Sequence, residues 1–242
     1  MTTNNCYFDF IYEPITGYRM LIFEKIISKV TGKKILDLGC GQIGHYWALG
    51  YSSKVELIDF FDLKEENITA LSKEISILNP DLIEENFFDT VEFLKNQLII
   101  NRNLTSKDLA LSIISKTRNI TNFNFLSSST NQKYDTILAI ECIECVNTKA
   151  EFILALNNIS RLLGKNSKLL CLILRYDEQT DETLRQVELR MEGLLNPNQK
   201  LVEEMFSASK LKLNWIESCK EINLYNYSEG IFFEAELRSF KP

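Results

Sequence analysis

Hydrophobic positions along the chain switch repeatedly between two rhythms. "TGYRMLIFEKIISKV" (16–30) spaces Met20, Leu21, Phe23, Ile26, Ile27 and Val30 at a helical period. "KKILDLGC" (33–40) and "VELIDFF" (55–61) are short runs dense in strand formers, with a short helix expected in "HYWALGY" between them. "KEENITALSKEISIL" (64–78) sets Ile68, Leu71, Ile75 and Leu78 on one helical face and stops at Asn79-Pro80. "DTVEFLKNQLI" (89–99) reads as helix, and "LALSIISKTRNI" (109–120) is expected to contain a strand. "YDTILAIECIEC" (134–145) is apolar until its glutamates, "AEFILALNNISRLLG" (150–164) is a helix ended by Gly164, and "KLLCLILRY" (168–176) is a buried strand. Two more helical patterns follow, "DETLRQVELRMEGLL" and "NQKLVEEMFSASK". The last two strand-like runs, "LKLNWIESCKEI" and "GIFFEAELRSF", have only the polar "NLYNYSE" between them.

Almost continuously apolar strands separated by helices imply a parallel sheet covered on both faces. The closing pair implies an antiparallel β-hairpin at one edge. The predicted architecture is one α/β domain over 1–242: a doubly wound, mostly parallel seven-stranded sheet, with residues 1–31 as an N-terminal lid and helix. "FLSSSTNQK" (125–133) is the expected loop.

Composition narrows the partners. The 242 residues are 45% hydrophobic and 25% charged, as in an ordinary globular chain, and no apolar run approaches the ~20 residues of a membrane span. The net charge of −6 disfavours a nucleic-acid partner. Six scattered cysteines, several inside apolar runs, suggest buried free thiols in a reducing, cytoplasmic setting. Cys142 and Cys145 form a lone C-x-x-C, and His45 is the single histidine. Neither a zinc site nor a histidine-based triad can be assembled from that inventory, so no metal is expected.

Five of the nine glycines lie between 32 and 50, and "KKILDLGCGQIG" spaces Gly39, Gly41 and Gly44 as G-x-G-x-x-G. In a doubly wound sheet such a turn stands at the ligand. One reading is a dinucleotide site, with Asp59 on the ribose. The other is S-adenosylmethionine. The two ligands differ in charge near the turn: a pyrophosphate needs N–H donors and no anion, whereas a sulfonium and an ammonium are favoured by one. A carboxylate about 4 Å from a sulfonium contributes on the order of 4 kcal/mol at an effective dielectric of about 20. Asp37, two residues ahead of the first glycine, therefore favours the sulfonium ligand.

"ILDLGCG" closely resembles the first motif of class I S-adenosylmethionine-dependent methyltransferases, and the "YDTILAIECIE" strand and final hairpin agree with that fold. From about 33 to 240 the chain is similar to the nicotinamide, phenylethanolamine and thioether methyltransferases. That similarity is carried by "SSKVELIDFFDLKEENITALSKEI", by the long stretch before "ISKTRNIT", and by the Glu-Gly of "YSEGIFFEAEL". It departs at "GKNSK", where that family has a Pro-Gly-Gly turn. No N/D-P-P-aromatic motif follows the fourth strand, which disfavours a nucleic-acid acceptor.

The resemblance implies transfer of a methyl group from S-adenosylmethionine to a small molecule, with nitrogen of an amine or N-heterocycle as the expected acceptor. Sulfur or oxygen transfer, or a binding module without turnover, are the alternatives. It assigns Gly39, Cys40, Gly41 and Gly44 to the cofactor turn, Asp37 to the amino-acid end or to a cap on the loop, Asp59 to the ribose, and Phe60 to an adenine wall or to the core. Asn119-Ile120 would meet the adenine, with Asn119 alternatively a loop cap, and Ile140 would border the methyl. Glu141 and Glu144 stand where methyl and acceptor meet; they could hold a cationic amine or take its proton, or simply be solvated helix-start acids. Arg175 and Tyr176 leave the next strand at the same edge, as substrate contacts or as surface residues. Tyr7 and Tyr12, in the ring-rich "CYFDFIYEP", are either a lid over the cofactor or ordinary packing.

Overall fold

A computed structural model describes residues 17–42, 54–77, 103, 105–176, 193–220 and 227–238. Tyr7, Tyr12, Gly44 and His45 lie outside them, as do the helices expected in "HYWALGY", "DTVEFLKNQLI" and most of "DETLRQVELRMEGLL".

Seven strands form one sheet in the order β3-β2-β1-β4-β5-β7-β6. They are β1 (Lys34–Leu38), β2 (Leu57–Asp62), β3 (Thr117–Asn122), β4 (Tyr134–Ile140), β5 (Leu163–Tyr176), β6 (Leu211–Cys219) and β7 (Tyr227–Leu237). β1 to β5 run parallel, while β7 is antiparallel to both β5 and β6. The predicted seven-stranded, mostly parallel sheet with a closing antiparallel hairpin is what the described residues adopt. The hairpin lies with β7 inside the sheet and β6 at its edge.

The helices are α1 (Gly17–Lys25), α2 (Glu65–Ile77), α3 (Ser106–Lys116), α4 (Lys149–Ser160) and α5 (Gln199–Ser207). Side chains alternate across each strand, so the sheet feeds two cores. Ile35, Ile58, Phe60 and Leu138 pack with α1, α2 and α3 on one face. Leu36, Phe61, Ile137 and Leu169 pack with α4 and α5 on the other.

The strand expected within "LALSIISKTRNI" is β3, beginning at Thr117; ahead of it lies α3, started by the reciprocal capping box of Thr105 and Asp108. One boundary differs from the sequence reading. α4 opens on a second such box, Thr148 with Glu151, and stops at Arg161, so Gly164 already lies in β5 instead of ending the helix.

Candidate active site

The parallel strands β1, β2, β4 and β5 finish at one sheet edge, where open α/β sheets bind their ligands. At the end of β1 the backbone turns through Gly39 (φ 71°) and Gly41 (φ 66°), a conformation that side chains oppose. The N–H groups of Gly39 and Cys40 donate to the Phe61 carbonyl at 2.7 and 3.2 Å, tying the turn to the end of β2. The Cys142 thiol donates to the Leu38 carbonyl at 3.1 Å and closes the turn from the β4 side.

Two carboxylates flank this turn. Asp37 is 1% exposed and shares a strand face with Ile35. Asp62, the last residue of β2, accepts the Gly41 N–H at 2.8 Å through Oδ2, while its Oδ1 accepts from the Lys64 N–H at 2.8 Å and Asn67 Nδ2 at 3.0 Å. It lies on the same sheet face as Asp37, since it follows Ile58 and Phe60 at even spacing. Burial, then the charges of Asp37 and Asp62, drive the Cys40 thiol far above its ordinary range.

Asp59 stands elsewhere. It is on the opposite face and 1% exposed. Its Oδ1 accepts from Arg118 Nε at 2.9 Å and Asn119 Nδ2 at 3.1 Å, and its Oδ2 accepts from Tyr134 Oη at 2.7 Å and from Arg118 Nη2. Four donors, two of them the paired N–H groups of a bidentate guanidinium, fill a carboxylate's acceptor sites. Asn119 serves this network. Phe60 is wholly buried in the core with α2, Ile120 packs against that same core, and Ile140 and Cys40 are each 5% exposed.

Register explains the displacement. Leu38 pairs with Phe61, so the position beside Gly39 is Asp62, three residues beyond Asp59. The same offset carries Asn119 to Asn122 on β3, where Asn122 Nδ2 donates to the Leu63 carbonyl at 2.6 Å. Leu63, 58% exposed, follows Asp62 at this edge. The second acid in "DFFDL" was the signal available in the sequence for this position.

At the end of β4, Glu141 has φ 56°, left-handed for a residue with a side chain, and its N–H donates to the Leu172 carbonyl at 2.8 Å. It stays half-buried. Glu144 is 5% exposed and its Oε1 accepts the Leu174 N–H at 3.0 Å. Burial pushes Glu144 up to about 7, against the opposing pull of the Leu174 N–H, and burial together with the Glu144 charge pushes Glu141 up to about 8. Arg175 Nη1 binds Glu229 Oε2 at 3.2 Å, and the Ser218 hydroxyl donates to Glu229 Oε1. The Tyr176 side chain is outside the described residues.

No protein-family model and no curated protein sequence matches the chain. Solved structures do. An S-adenosylmethionine-dependent methyltransferase from Clostridium acetobutylicum ATCC 824 superposes with a TM-score of 0.58 at 14% identity, covering 97% of this chain and 100% of that one. The fold is that of the class I S-adenosylmethionine-dependent methyltransferases. The N-methyltransferase NodS from Bradyrhizobium japonicum WM9, in complex with S-adenosyl-L-homocysteine, gives a TM-score of 0.54 at 11% identity, covering 91% of this chain and 85% of its own. The mitomycin 7-O-methyltransferase MmcR gives 0.56 at 11% identity, covering 91% of this chain and 55% of its own. These neighbours are named for both nitrogen and oxygen methylation. No described helix is long and apolar enough to cross a membrane.

Proposed function

We propose that this protein transfers a methyl group from S-adenosylmethionine to a nitrogen atom of a small molecule. The observation that carries the reading is the pair of carboxylates, Asp37 and Asp62, set on one sheet face around a left-handed glycine turn. That arrangement suits a cationic cofactor and opposes a pyrophosphate. S-adenosylmethionine supplies an electrophilic methyl group on a sulfonium.

Within this reading, Gly39, Cys40 and Gly41, with Gly44 beyond, form the turn under the cofactor, and Asp37 orients its amino-acid end. Asp62 replaces Asp59 as the ribose ligand: its three donors are neutral N–H groups, whereas Asp59 is neutralised by Arg118. Leu63 lies against the adenine in place of Phe60, and Asn122 replaces Asn119 on the adenine side. Tyr7 and Tyr12 remain proposed lid contacts. The two glutamates that follow β4 face the acceptor. Holding a nucleophile in line at about 3–3.5 Å supplies most of the acceleration for such a displacement. The nitrogen preference follows from the resemblance to the nicotinamide and phenylethanolamine enzymes and from the acidic acceptor end.

Calorimetry with S-adenosylhomocysteine and with NAD tests the cofactor, and tritiated S-adenosylmethionine offered with amines, N-heterocycles, thiols and phenols tests the reaction. Binding of S-adenosylhomocysteine and label on nitrogen are expected. Heat with NAD alone would end the reading.

A further inference from the structure

The loop "FLSSSTNQK" and the end of α4 enclose a cavity that takes no part in methyl transfer as read above. Its volume is about 270 Å³, and it is lined by Ser128, Ser129, Thr130, Asn131, Lys133 and Arg161, together with Asn158 and Leu162. Lys133 directly precedes β4 and Arg161 stands two residues ahead of β5, so the cavity lies at the sheet edge where the parallel strands begin, opposite the glycine turn. The walls are fixed in advance of any ligand. Asn158 Nδ2 donates to the carbonyls of Phe125 and Leu126, both at 3.0 Å, which ties the loop to α4. Within the loop the Ser127 and Ser128 N–H groups donate to the Asn124 carbonyl at 3.1 and 2.7 Å, and the Asn124 N–H donates back to Ser128 Oγ at 3.1 Å.

The lining is rich in donors. The chain carries 33 acidic residues against 27 lysines and arginines, yet no carboxylate lines this cavity and two cations do. The Arg161 guanidinium makes no hydrogen bond or ion pair among the described residues. Lys133 gives one N–H to the Arg161 carbonyl and keeps two. The Ser128 and Thr130 oxygens accept the N–H groups of Asn124 and Gln132, at 3.1 and 3.3 Å, which leaves each hydroxyl proton to donate. The carbonyls that end α4 would repel an anion, but they are occupied. Asn158 and Ile159 accept from the N–H groups of Arg161 and Leu162 at 3.0 and 2.9 Å, and Arg161 accepts from Lys133.

We propose that this cavity is a second ligand site, separate from the cofactor edge, that binds the phosphate group of a small phosphate ester. A phosphate monoester presents three terminal oxygens and a charge near −2. The planar guanidinium of Arg161 meets two of those oxygens side by side, and Lys133 supplies the second positive charge. The hydroxyls of Ser128, Ser129 and Thr130 serve the remaining lone pairs. A carboxylate, with two oxygens and one charge, would leave several of these donors unmet. The volume is just below the ~300–1,000 Å³ of sites for drug-sized ligands, so it admits a phosphate with a body of a few carbons, which Leu162 can cover. Because Lys133 and Arg161 are exposed, salt screens their charges and binding weakens as ionic strength rises.

Calorimetry on the full chain with glycerol 3-phosphate, inorganic phosphate, glycerol and acetate tests the site. Heat is expected with glycerol 3-phosphate, at least threefold weaker binding with inorganic phosphate, and none with glycerol or acetate. Arg161→Gln should raise the glycerol 3-phosphate Kd at least tenfold and Lys133→Gln at least threefold. Both side chains are exposed, so the urea midpoints of the two variants should stay at the wild-type value, and Ser129→Ala, a third variant on the loop, should weaken binding with the same midpoint. Saturation with S-adenosylhomocysteine should leave the Kd unchanged, because the glycine turn is at the other edge. No heat with either phosphate probe overturns the proposal, as does acetate or inorganic phosphate binding as tightly as the ester. An unchanged Kd in Arg161→Gln overturns it too, and so does competition from S-adenosylhomocysteine, which would put the anion at the glycine turn.

Discussion

A Cβ placed on Gly39 would stand 2.3 Å from the Cβ of Cys142 and 2.8 Å from its sulfur. β1 and β4 are hydrogen-bonded neighbours, and the first turn after β4 closes directly onto the turn after β1. Gly39→Ala therefore meets two penalties, the left-handed φ and the collision with Cys142, which together come to about 2–4 kcal/mol. Urea unfolding should show a loss of that size. Cys142→Gly in the same background should recover part of it by removing the clash and leaving the backbone strain.

The two aspartates of β2 should separate cleanly. Asp59→Asn takes the countercharge from Arg118 and leaves the Tyr134 hydroxyl facing a weaker acceptor, so it should cost about 2–4 kcal/mol of stability. Because the network lies on the far sheet face, S-adenosylhomocysteine affinity should change less than threefold. Asp62→Asn should do the reverse, weakening that affinity at least tenfold. Parallel calorimetry and denaturant titrations decide between the two acids, and the opposite pattern would return the ribose to Asp59.

The element order, both cores and the glycine turn could be read from the sequence because each rests on a local pattern. Apolar runs mark strands buried on two faces, and clustered glycines mark a demanding backbone. The identity of the second acid could not be read so. Asp59 and Asp62 share one strand, and an odd spacing of three puts them on opposite faces. Only the pairing of Leu38 with Phe61 shows which one reaches Gly39. Arg118, which claims Asp59, lies across a long-range strand pairing that no local signal encodes. The strand within "LALSIISKTRNI" was legible but its first residue was not: the Thr105–Asp108 box commits the segment to a helix as far as Lys116, and the strand begins at Thr117.

Thiol chemistry should be muted despite the C-x-x-C. Burial raises the thiols of Cys142 and Cys171 well above the usual range, and Cys145 is pushed up to about 12 by burial and by the neighbouring glutamates. The thiolate is the reactive form. Iodoacetamide at pH 7.5 should leave Cys142 and Cys171 intact in the native protein over times that fully label them in urea. Peptide mapping reads the outcome, and rapid native labelling of Cys142 would contradict the packing at Gly39.

The glutamate pair also predicts how stability depends on pH. Both carboxyls bind protons more tightly in the folded chain, near 8 and 7, than the 4.5 of an ordinary glutamate. Near pH 4 both states are mostly protonated there, and the pair contributes its full stability. As pH rises the unfolded chain loses these protons first, so the contribution falls through pH 5–7 and is gone above the folded values. For Glu144, which is closed to solvent, the loss is on the order of 3 kcal/mol. Glu144→Gln retains the acceptor for Leu174 and removes the titration. Its unfolding free energy should match the wild type near pH 4.5, exceed it by a few kcal/mol at pH 8, and depend less on pH between them. Urea titrations at the two pH values measure this directly. A wild type that gains stability relative to Glu144→Gln as pH rises would contradict the buried, raised carboxyl.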